Sequence, residues 1–249
     1  MIKFENTEVV GWEAAIRGMR NPMNSWEKSD SIFVENGEYH NIIGDSGPYY
    51  GVEKAPYGEQ PVNGTLIGMF DHDLMTRLRN AGIDHRKFMR MITVYVDITA
   101  PLYWWKEFDT YKVGTVANSC STMHKIHAKE FTIDDFSHEQ LDDKSIDMFM
   151  QDNYEQPYFF CSFEGMLYIA VDALNRARNL YLETKDKKYW WQMIQLLPSS
   201  YNQKRTVMLN YEVLANIYKS RKNHKLDEWS VGFMEWIKSL PYSELITGK

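Results

Sequence analysis

The sequence lacks the features of secreted and membrane proteins. Its 249 residues include only two cysteines, Cys120 and Cys161, which argues against the disulfide framework of a small secreted protein. The apolar runs, such as 165–173 and 193–197, are shorter than the roughly 18 residues that a membrane span needs, and no signal peptide opens the chain. We therefore expect a cytoplasmic protein with no membrane partner.

Long basic clusters are also missing. The 28 basic and 34 acidic side chains give a formal charge of −6, and no lysine or arginine run could follow a nucleic-acid backbone. His124 and His127 lie three residues apart beside Cys120, but no further histidine or cysteine has the spacing that would complete a zinc site. The sequence thus predicts neither a nucleic-acid partner nor a metal, although a few local cations could hold a small anion.

What is present predicts one globular α+β domain that spans residues 1–249. Apolar residues make up 44% of the chain and aromatic residues 14%, enough for a substantial core. Residues 21–68 are rich in Gly, Pro, Asn and Ser and predict a loop-rich region, and residues 127–153 predict an acidic surface excursion. Strict alternation of apolar and polar residues over 91–99 predicts a half-buried strand.

Helical patterns are concentrated in the last third of the chain. Asp71 is expected to cap an earlier helix that Ala81-Gly82 ends, and Pro101 to begin another that continues to Lys112. Pro198 and Pro241 act as terminators among the later helices. Those later helices are predicted over 163–184, 187–197, 205–219 and 226–240.

The most unusual chemistry follows the strand at 91–99. Lys106, Glu107 and Lys112 could be an ordinary solvated helix face with weak ion pairs. Hydroxyl, amide and thiol groups crowd into 115–122, and we interpret that density of donors and acceptors as the wall of a polar pocket. The tryptophan pairs at 104–105 and 190–191 favour core packing, with the stacking of a ring ligand as the alternative.

These features occur in the order and spacing found in the flavin-dependent thymidylate synthases, which the chain resembles over roughly residues 71–240. That family has a helix ending in Asn-Gly-His and a strand ending in Ala-Pro. It continues with Arg-Gln, the signature R-H-R-x-x-S-x-N-E-x-S-x-R-Y and a later Leu-Pro. Aligned without gaps, Arg-Gln and the signature positions fall on Lys106-Glu107, Thr110-Tyr111-Lys112, Thr115, Ala117-Asn118, Cys120 and Thr122-Met123.

The C-terminal part of the resemblance is closer. Asn210, Leu214 and Arg221 match the family helix N-x-R-x-L-x-x-F-x-x-L-R. Other family positions differ, including most of the arginines that would contact phosphate groups. The replacements are Ile83 for the turn histidine, Ile194 for the arginine before Leu-Pro, Glu212 for the first helix arginine and Ile217 for the phenylalanine.

The resemblance implies an antiparallel sheet with flanking helices and a helical C-terminal third. It also implies a homotetramer that binds a pyrimidine nucleotide such as dUMP and alkylates C5 of the base with FAD. Reduced folate and NADPH follow only if the family activity is kept, and a non-catalytic nucleotide-binding protein is the alternative. By resemblance, the catalytic residues are Cys120 and Arg221, the substrate-binding residues are Lys106, Glu107, Asn118, Thr122 and Arg205, and the cofactor-binding residues are Lys112, Thr115 and Asn210.

Cys120 has two interpretations. As a thiolate it could add to C6 of a pyrimidine and so activate C5. As a substitute for the signature serine it could instead be a small, buried packing residue, which is the interpretation we favour from sequence. Cys161 lies among phenylalanines and is expected in the core.

Overall fold

The computed structural model describes residues 2–35, 38–44, 64–144, 146–149 and 158–248. The predicted loop-rich region 21–68 and acidic excursion 127–153 therefore lie partly outside the described residues. The α-helices are α1 (Trp12–Arg20), α2 (Met69–Asn80), α3 (Leu102–Phe108), α4 (Phe163–Thr184), α5 (Lys187–Leu196), α6 (Tyr211–Arg221), α7 (Met234–Ser239) and α8 (Glu244–Thr247). The strands are β1 (Lys3–Val10), β2 (Ile32–Glu35), β3 (Glu38–His40), β4 (Thr65–Leu66), β5 (Thr93–Pro101), β6 (Val116–Ser119), β7 (Ile146–Phe149), β8 (Tyr158–Cys161) and β9 (Asn202–Asn210).

Three sheets and the flanking helices confirm the predicted α+β class. The largest sheet has four strands in the order β1-β5-β9-β6. Two smaller sheets are antiparallel: β2 pairs with β3 and β4, and β7 pairs with β8. None of the helices in the described part of the chain is long and apolar enough to cross a membrane.

Strand β5 confirms the strongest sequence prediction. Val94, Val96 and Ile98 are buried, whereas Thr93 and Asp97 on the other face are only partly so. Neighbouring strands bind the polar face: Thr206 Oγ1 donates to Asp97 Oδ1 at 2.6 Å. The period-two alternation therefore reports one apolar face and one polar face.

The helix predicted over 205–219 is wrong in its first six residues. Residues up to Asn210 form β9, in which Val207 and Leu209 are buried on one face. Asn210 has extended dihedral angles, and its Oδ1 accepts a hydrogen bond from the Val213 amide at 3.0 Å. The asparagine thus ends the strand and caps α6, a boundary that the apolar periodicity of the segment hides.

Other helix boundaries also differ from the predictions. The helix that begins after Pro101 ends at Phe108, before the polar block, and the one predicted over 226–240 is a π-helical segment, Glu228–Phe233, followed by α7. Helix α2 begins at Met69, so Asp71 lies inside its first turn. The cap comes from Asp30, whose carboxylate accepts from the amides of Phe70 and Asp71.

Asp71 instead belongs to a buried ion pair. It is fully buried, and its Oδ1 accepts from Arg20 Nε at 2.6 Å. Ser29 and Ser31 donate their hydroxyl groups to the other carboxylate oxygen, at 2.5 and 2.6 Å. A charged residue predicted as a helix cap therefore supports the interior, because both of its carboxylate oxygens accept hydrogen bonds.

The chain divides into two compact units. Unit 1 comprises residues 1–3, 99–110 and 119–205, and unit 2 comprises residues 4–98, 111–118 and 206–249. The single domain predicted from sequence stays a prediction. Helices α4 and α5 enclose the core of unit 1, whose buried members are Ile126, Phe131, Phe136, Leu167, Val171, Leu174, Ala177 and Met193.

Candidate functional site

A cavity of about 710 Å³ lies in unit 1. Three sheet strands contribute its floor through Lys3, Thr99 and residues 202–204, and residues 120–122 close one side. A further wall consists of residues from the segment 129–139. The wall residues are Lys129, Asp134, Asp135, Phe136, His138 and Glu139.

Cys120 lines this cavity as an exposed, free thiol. Its amide donates to the Lys204 carbonyl at 2.9 Å, and its carbonyl accepts from Gln203 Nε2 at 2.8 Å. These bonds tie the residue after β6 to β9 and fix its backbone beside the cavity. The prediction that Cys120 is a buried packing residue is therefore wrong, whereas Cys161 is buried as expected.

The wall formed by the segment 129–139 carries both signs of charge. Lys129 forms an ion pair with Asp135, and this hydrogen bond, with the negative charge of Asp135, raises the pKa of Lys129 against the opposing effect of burial. Asp135 also accepts from the Thr132 amide at 2.9 Å. Its carboxylate is therefore committed to the local structure of the wall.

Tyr201 lines the same cavity as these charged groups. Burial raises the pKa of its hydroxyl, Asp135 and Cys120 raise it further, and Lys129 opposes them. The phenol consequently keeps its proton at neutral pH and can donate a hydrogen bond.

The predicted substrate-binding residues are distributed unevenly in unit 1. Thr122 lines the cavity and is half-buried. Lys106 is exposed on α3, Glu107 is partly buried, and neither they nor Arg205 line the cavity. The structure thus brings Thr122 and Cys120 together but not the other three.

Arg205 is held by its own neighbours. Its Nη1 donates to Asp109 Oδ1 at 2.7 Å and its Nε to Gln203 Oε1 at 2.9 Å. The guanidinium carbon lies 4.1 Å from the centroid of the Trp105 ring. Trp105 and Trp104 are both buried, so core packing is confirmed for this pair.

The second tryptophan pair is less enclosed. Trp190 donates its indole N–H to the Met123 carbonyl at 2.9 Å, and Trp191 is 45% exposed. Among the described residues no group of three or more His, Cys, Asp or Glu could hold a metal ion. His127 packs its ring 4.9 Å from Tyr181, and His124 is exposed.

Unit 2 holds the other predicted site residues, in the segment 111–118 and at the two ends of α6. Asn210 caps the start of this helix and Arg221 is its last residue, two positions beyond the predicted end. Gly114 has a φ of +75°, and a Cβ added there would lie 3.1 Å from Asn210 Nδ2. The loop 111–118 therefore approaches the start of α6 closely, in a conformation that favours glycine.

Arg221 is enclosed by aromatic rings at the other end of α6. Its Nε donates to the Tyr111 hydroxyl at 2.8 Å. The guanidinium carbon lies 5.6 Å from the Tyr111 ring centroid and 5.1 Å from that of Trp229. Both contacts fall in the range of cation–π attraction, so this arginine has a structural role whether or not it binds a ligand.

The predicted flavin-binding residues differ in how many of their polar groups are still available to bind a ligand. Thr115 donates its hydroxyl to the Tyr111 carbonyl and thereby closes the loop. Asn210 uses its oxygen for the helix cap but keeps an amide donor. Lys112 is exposed, as is Asn118, which was predicted to bind the substrate and does not line the unit 1 cavity. Of the predicted flavin-binding groups, the Lys112 ammonium group and the Asn210 side-chain amide donor thus remain available to a flavin.

Sequence reasoning missed the cations of the cavity. Lys3, Lys129 and Lys204 lie in three separate segments of the chain. Only the pairing of strands and the fold of 129–139 bring them to one cavity. No periodicity in the sequence marks Tyr201 as a cavity residue.

Comparison with solved structures shows the same fold. A crystal structure of thymidylate synthase X from Helicobacter pylori with FAD and dUMP has a TM-score of 0.61 and 15% identity, covering 100% of this chain and 98% of that chain. A second complex of the Helicobacter pylori enzyme with FAD and dUMP gives 0.60 and 16%, with coverage of 98% and 99%.

A UMP/dUMP methylase, PolB from Streptomyces cacaoi, gives a TM-score of 0.49 and 11% identity, covering 100% of this chain and 94% of that chain. The sequence matches no protein-family model and no curated protein. At these identities the likeness concerns the fold. The chain therefore has the fold of the flavin-dependent thymidylate synthases, as the order of its motifs predicts, with diverged residues at the signature positions.

Proposed function

We propose that the protein binds a pyrimidine nucleotide in the unit 1 cavity and alkylates C5 of the base with Cys120 as the nucleophile. The observation that carries the proposal is an exposed, free thiol in a cavity that also presents three lysines. Two solved structures of the Helicobacter pylori enzyme, which has the same fold, hold FAD and dUMP. A cavity of about 710 Å³ is also within the usual size of small-molecule sites.

The polar groups of the cavity suit the parts of a nucleotide. Lysine ammonium groups bind phosphate as point charges, and Lys3 and Lys204 lie on the strand floor. Thr99, Thr122 and the side-chain amide of Asn202 offer donors and acceptors for a base or sugar. These groups replace the arginines that the signature would supply.

The proposed chemistry begins at Cys120. Its thiolate adds to C6, a C–S bond forms, and the electron pair of the C5–C6 double bond moves to C5 and O4 as an enolate. Tyr201, which keeps its proton, would donate a hydrogen bond to the enolate oxygen. After C5 gains the one-carbon unit, loss of the C5 proton and departure of the Cys120 sulfur restore the double bond.

The cofactors would be those of the related enzymes. When bound, a reduced flavin supplies a hydride and a reduced folate supplies the one-carbon unit, with NADPH as the source of reducing equivalents. Lys112 and the free amide donor of Asn210 would contact the flavin. Visible absorbance of the purified protein, followed by titration with FAD, tests this part directly.

Covalent trapping tests the role of Cys120. A 5-fluorinated uridine or deoxyuridine monophosphate, incubated with reduced flavin and folate, should add to the protein the mass of one nucleotide together with the folate-bound one-carbon unit. The reason is that C5 cannot lose fluorine as a cation, so the Cys120 sulfur cannot depart. Peptide mapping should place the adduct on Cys120. Cys120→Ser should abolish it, and Cys161→Ser, which changes the buried thiol, should leave it intact. An adduct that survives Cys120→Ser would remove the thiol from the mechanism.

A non-catalytic nucleotide-binding protein is the second candidate. It is favoured because Thr115 and Arg205 are engaged in internal hydrogen bonds, which leaves fewer groups for a flavin and a second substrate. Calorimetry with UMP, dUMP and dTMP measures binding, and mass spectrometry of the nucleotide measures turnover. Binding without methylated product in the presence of FAD, folate and NADPH selects this candidate.

We further propose that the protein is a cytoplasmic homo-oligomer, a tetramer by resemblance. Helix α4 supports this, because its 22 residues expose Phe163, Met166, Tyr168 and Ile169 by 40–52%. Apolar surface of this kind is characteristic of interfaces between copies of a chain. Light scattering at micromolar concentration should give a mass above one chain, and Ile169→Glu should lower it.

A further inference from the structure

The unit 1 cavity presents both lysines and carboxylates, and the carboxylates bear on the sugar of the nucleotide. Lys3 and Lys204 belong to the strands β1 and β9, whereas Asp134, Asp135 and Glu139 belong to the segment 129–139, in which Lys129 is paired with Asp135. A phosphate is repelled by the carboxylates and attracted by the lysines. The part of the ligand that faces the acidic wall must therefore carry hydrogen-bond donors.

The strand order sets the distance between Cys120 and Lys3, and hence the length of the ligand that can contact both. Cys120 follows β6, and the sheet order β1-β5-β9-β6 places Lys3 three strand spacings away. At about 4.8 Å per spacing this is roughly 14 Å. A base at Cys120 and a phosphate directed toward Lys3 would leave the sugar in the middle of the cavity.

Asp134 is the carboxylate that remains for the sugar. Asp135 is paired with Lys129, and Glu139 Oε2 accepts from Ser137 Oγ at 3.0 Å and from the His138 amide at 3.1 Å. Asp134 is exposed and makes no hydrogen bond or ion pair with the residues that the structure describes. An ionised carboxylate is an acceptor only, and its two oxygens can accept from two adjacent hydroxyl groups.

We infer that the cavity selects a ribonucleotide, with Asp134 as the acceptor for the ribose hydroxyls. This inference rests on the proposed binding of a pyrimidine nucleotide and names its sugar. Ribose presents a vicinal diol, whereas deoxyribose presents one hydroxyl to the same carboxylate. The difference is one charge-assisted hydrogen bond, which corresponds to about a tenfold difference in affinity.

Calorimetric titration of UMP and dUMP tests the inference. We expect UMP to bind the wild type about tenfold more tightly than dUMP. In Asp134→Ala both nucleotides should bind more weakly, with a loss for UMP about tenfold larger than the loss for dUMP, so that the two dissociation constants become equal. The control is Asp143→Ala, an exposed carboxylate that does not line the cavity, and it should keep the wild-type ratio.

The outcomes separate this inference from the proposed function. Equal affinities in the wild type, tighter binding of dUMP, or a ratio that survives Asp134→Ala would overturn the ribose selection and leave nucleotide binding in place. Binding of neither nucleotide would overturn the proposed function together with the inference. The ratio compares two ligands on one folded protein, so a general loss of stability does not imitate the expected result.

Discussion

Arg221→Lys is the substitution that separates a ligand role from a structural role at the end of α6. Lysine keeps a positive charge near the Tyr111 and Trp229 rings but loses the Nε hydrogen bond of 2.8 Å to the Tyr111 hydroxyl. A hydrogen bond to a charged group contributes about 1.5 kcal/mol at the lower end of its range. For a chain of this size that loss should lower the melting temperature by about 3–6 °C.

Tyr111→Phe is the matched variant. It removes the same hydrogen bond by deleting the hydroxyl that accepts it, and it leaves the Arg221 guanidinium and both aromatic rings in place. The two variants should therefore have similar melting temperatures. If Arg221 contacts the nucleotide, as the family resemblance implies, only Arg221→Lys should weaken binding, by about tenfold, because lysine cannot pair two acceptors at once.

Differential scanning fluorimetry and calorimetry with the best nucleotide measure both quantities. Tyr95→Phe, which changes a 43% exposed tyrosine of β5, controls for the loss of a hydroxyl as such. Equal weakening of nucleotide binding by Arg221→Lys and Tyr111→Phe would assign Arg221 to the structure alone. Unchanged binding in both would remove it from the site.

Two further predictions concern the stability of unit 2. Asp71→Ala leaves the buried Arg20 charge without its partner and should cost about 3–5 kcal/mol of unfolding free energy in urea titration; Asp73→Ala on the same helix breaks an exposed pair and should cost less than about 0.5 kcal/mol. Comparable costs would contradict the buried network. For Glu244, burial acts to raise the carboxyl pKa, but the 2.6 Å hydrogen bond to His72 and its charge outweigh it, so the pKa falls below 4.5. This contribution is complete above pH 4.5 and is lost as the pH falls through the lowered pKa, so Glu244→Gln should flatten the acid limb of the stability profile.

The sequence predicts elements whose pattern is local. Strand β5 shows a strict period of two, and α4 spans the predicted bounds, 163–184. Asn210 and Arg221 fall at the two ends of one helix because the family motif preserves their spacing. Each of these predictions depends on residues that are close together in the chain.

Predictions fail where the decisive partner is distant in sequence. Asp71 resembles a helix cap until Arg20, 51 residues earlier, pairs with it. Residues 205–210 continue an apolar pattern that suits a helix, and only pairing within the main sheet makes them a strand. Cys120 resembles a packing residue because its neighbours in sequence do not reveal the cavity opposite it.

The segment 111–118 contacts α6 at both ends of the helix, and these contacts couple the motions of the two ends. Gly114 meets Asn210 at the first end, and Tyr111 holds Arg221 at the last, about 16 Å away along the helix. Because the segment 111–118 contacts both ends of α6, a shift of the helix at one end would strain the contact at the other end. A molecule that orders the Asn210 end would also restrict the motion of Arg221, so two ligands bound at opposite ends should favour each other's binding with little change of shape.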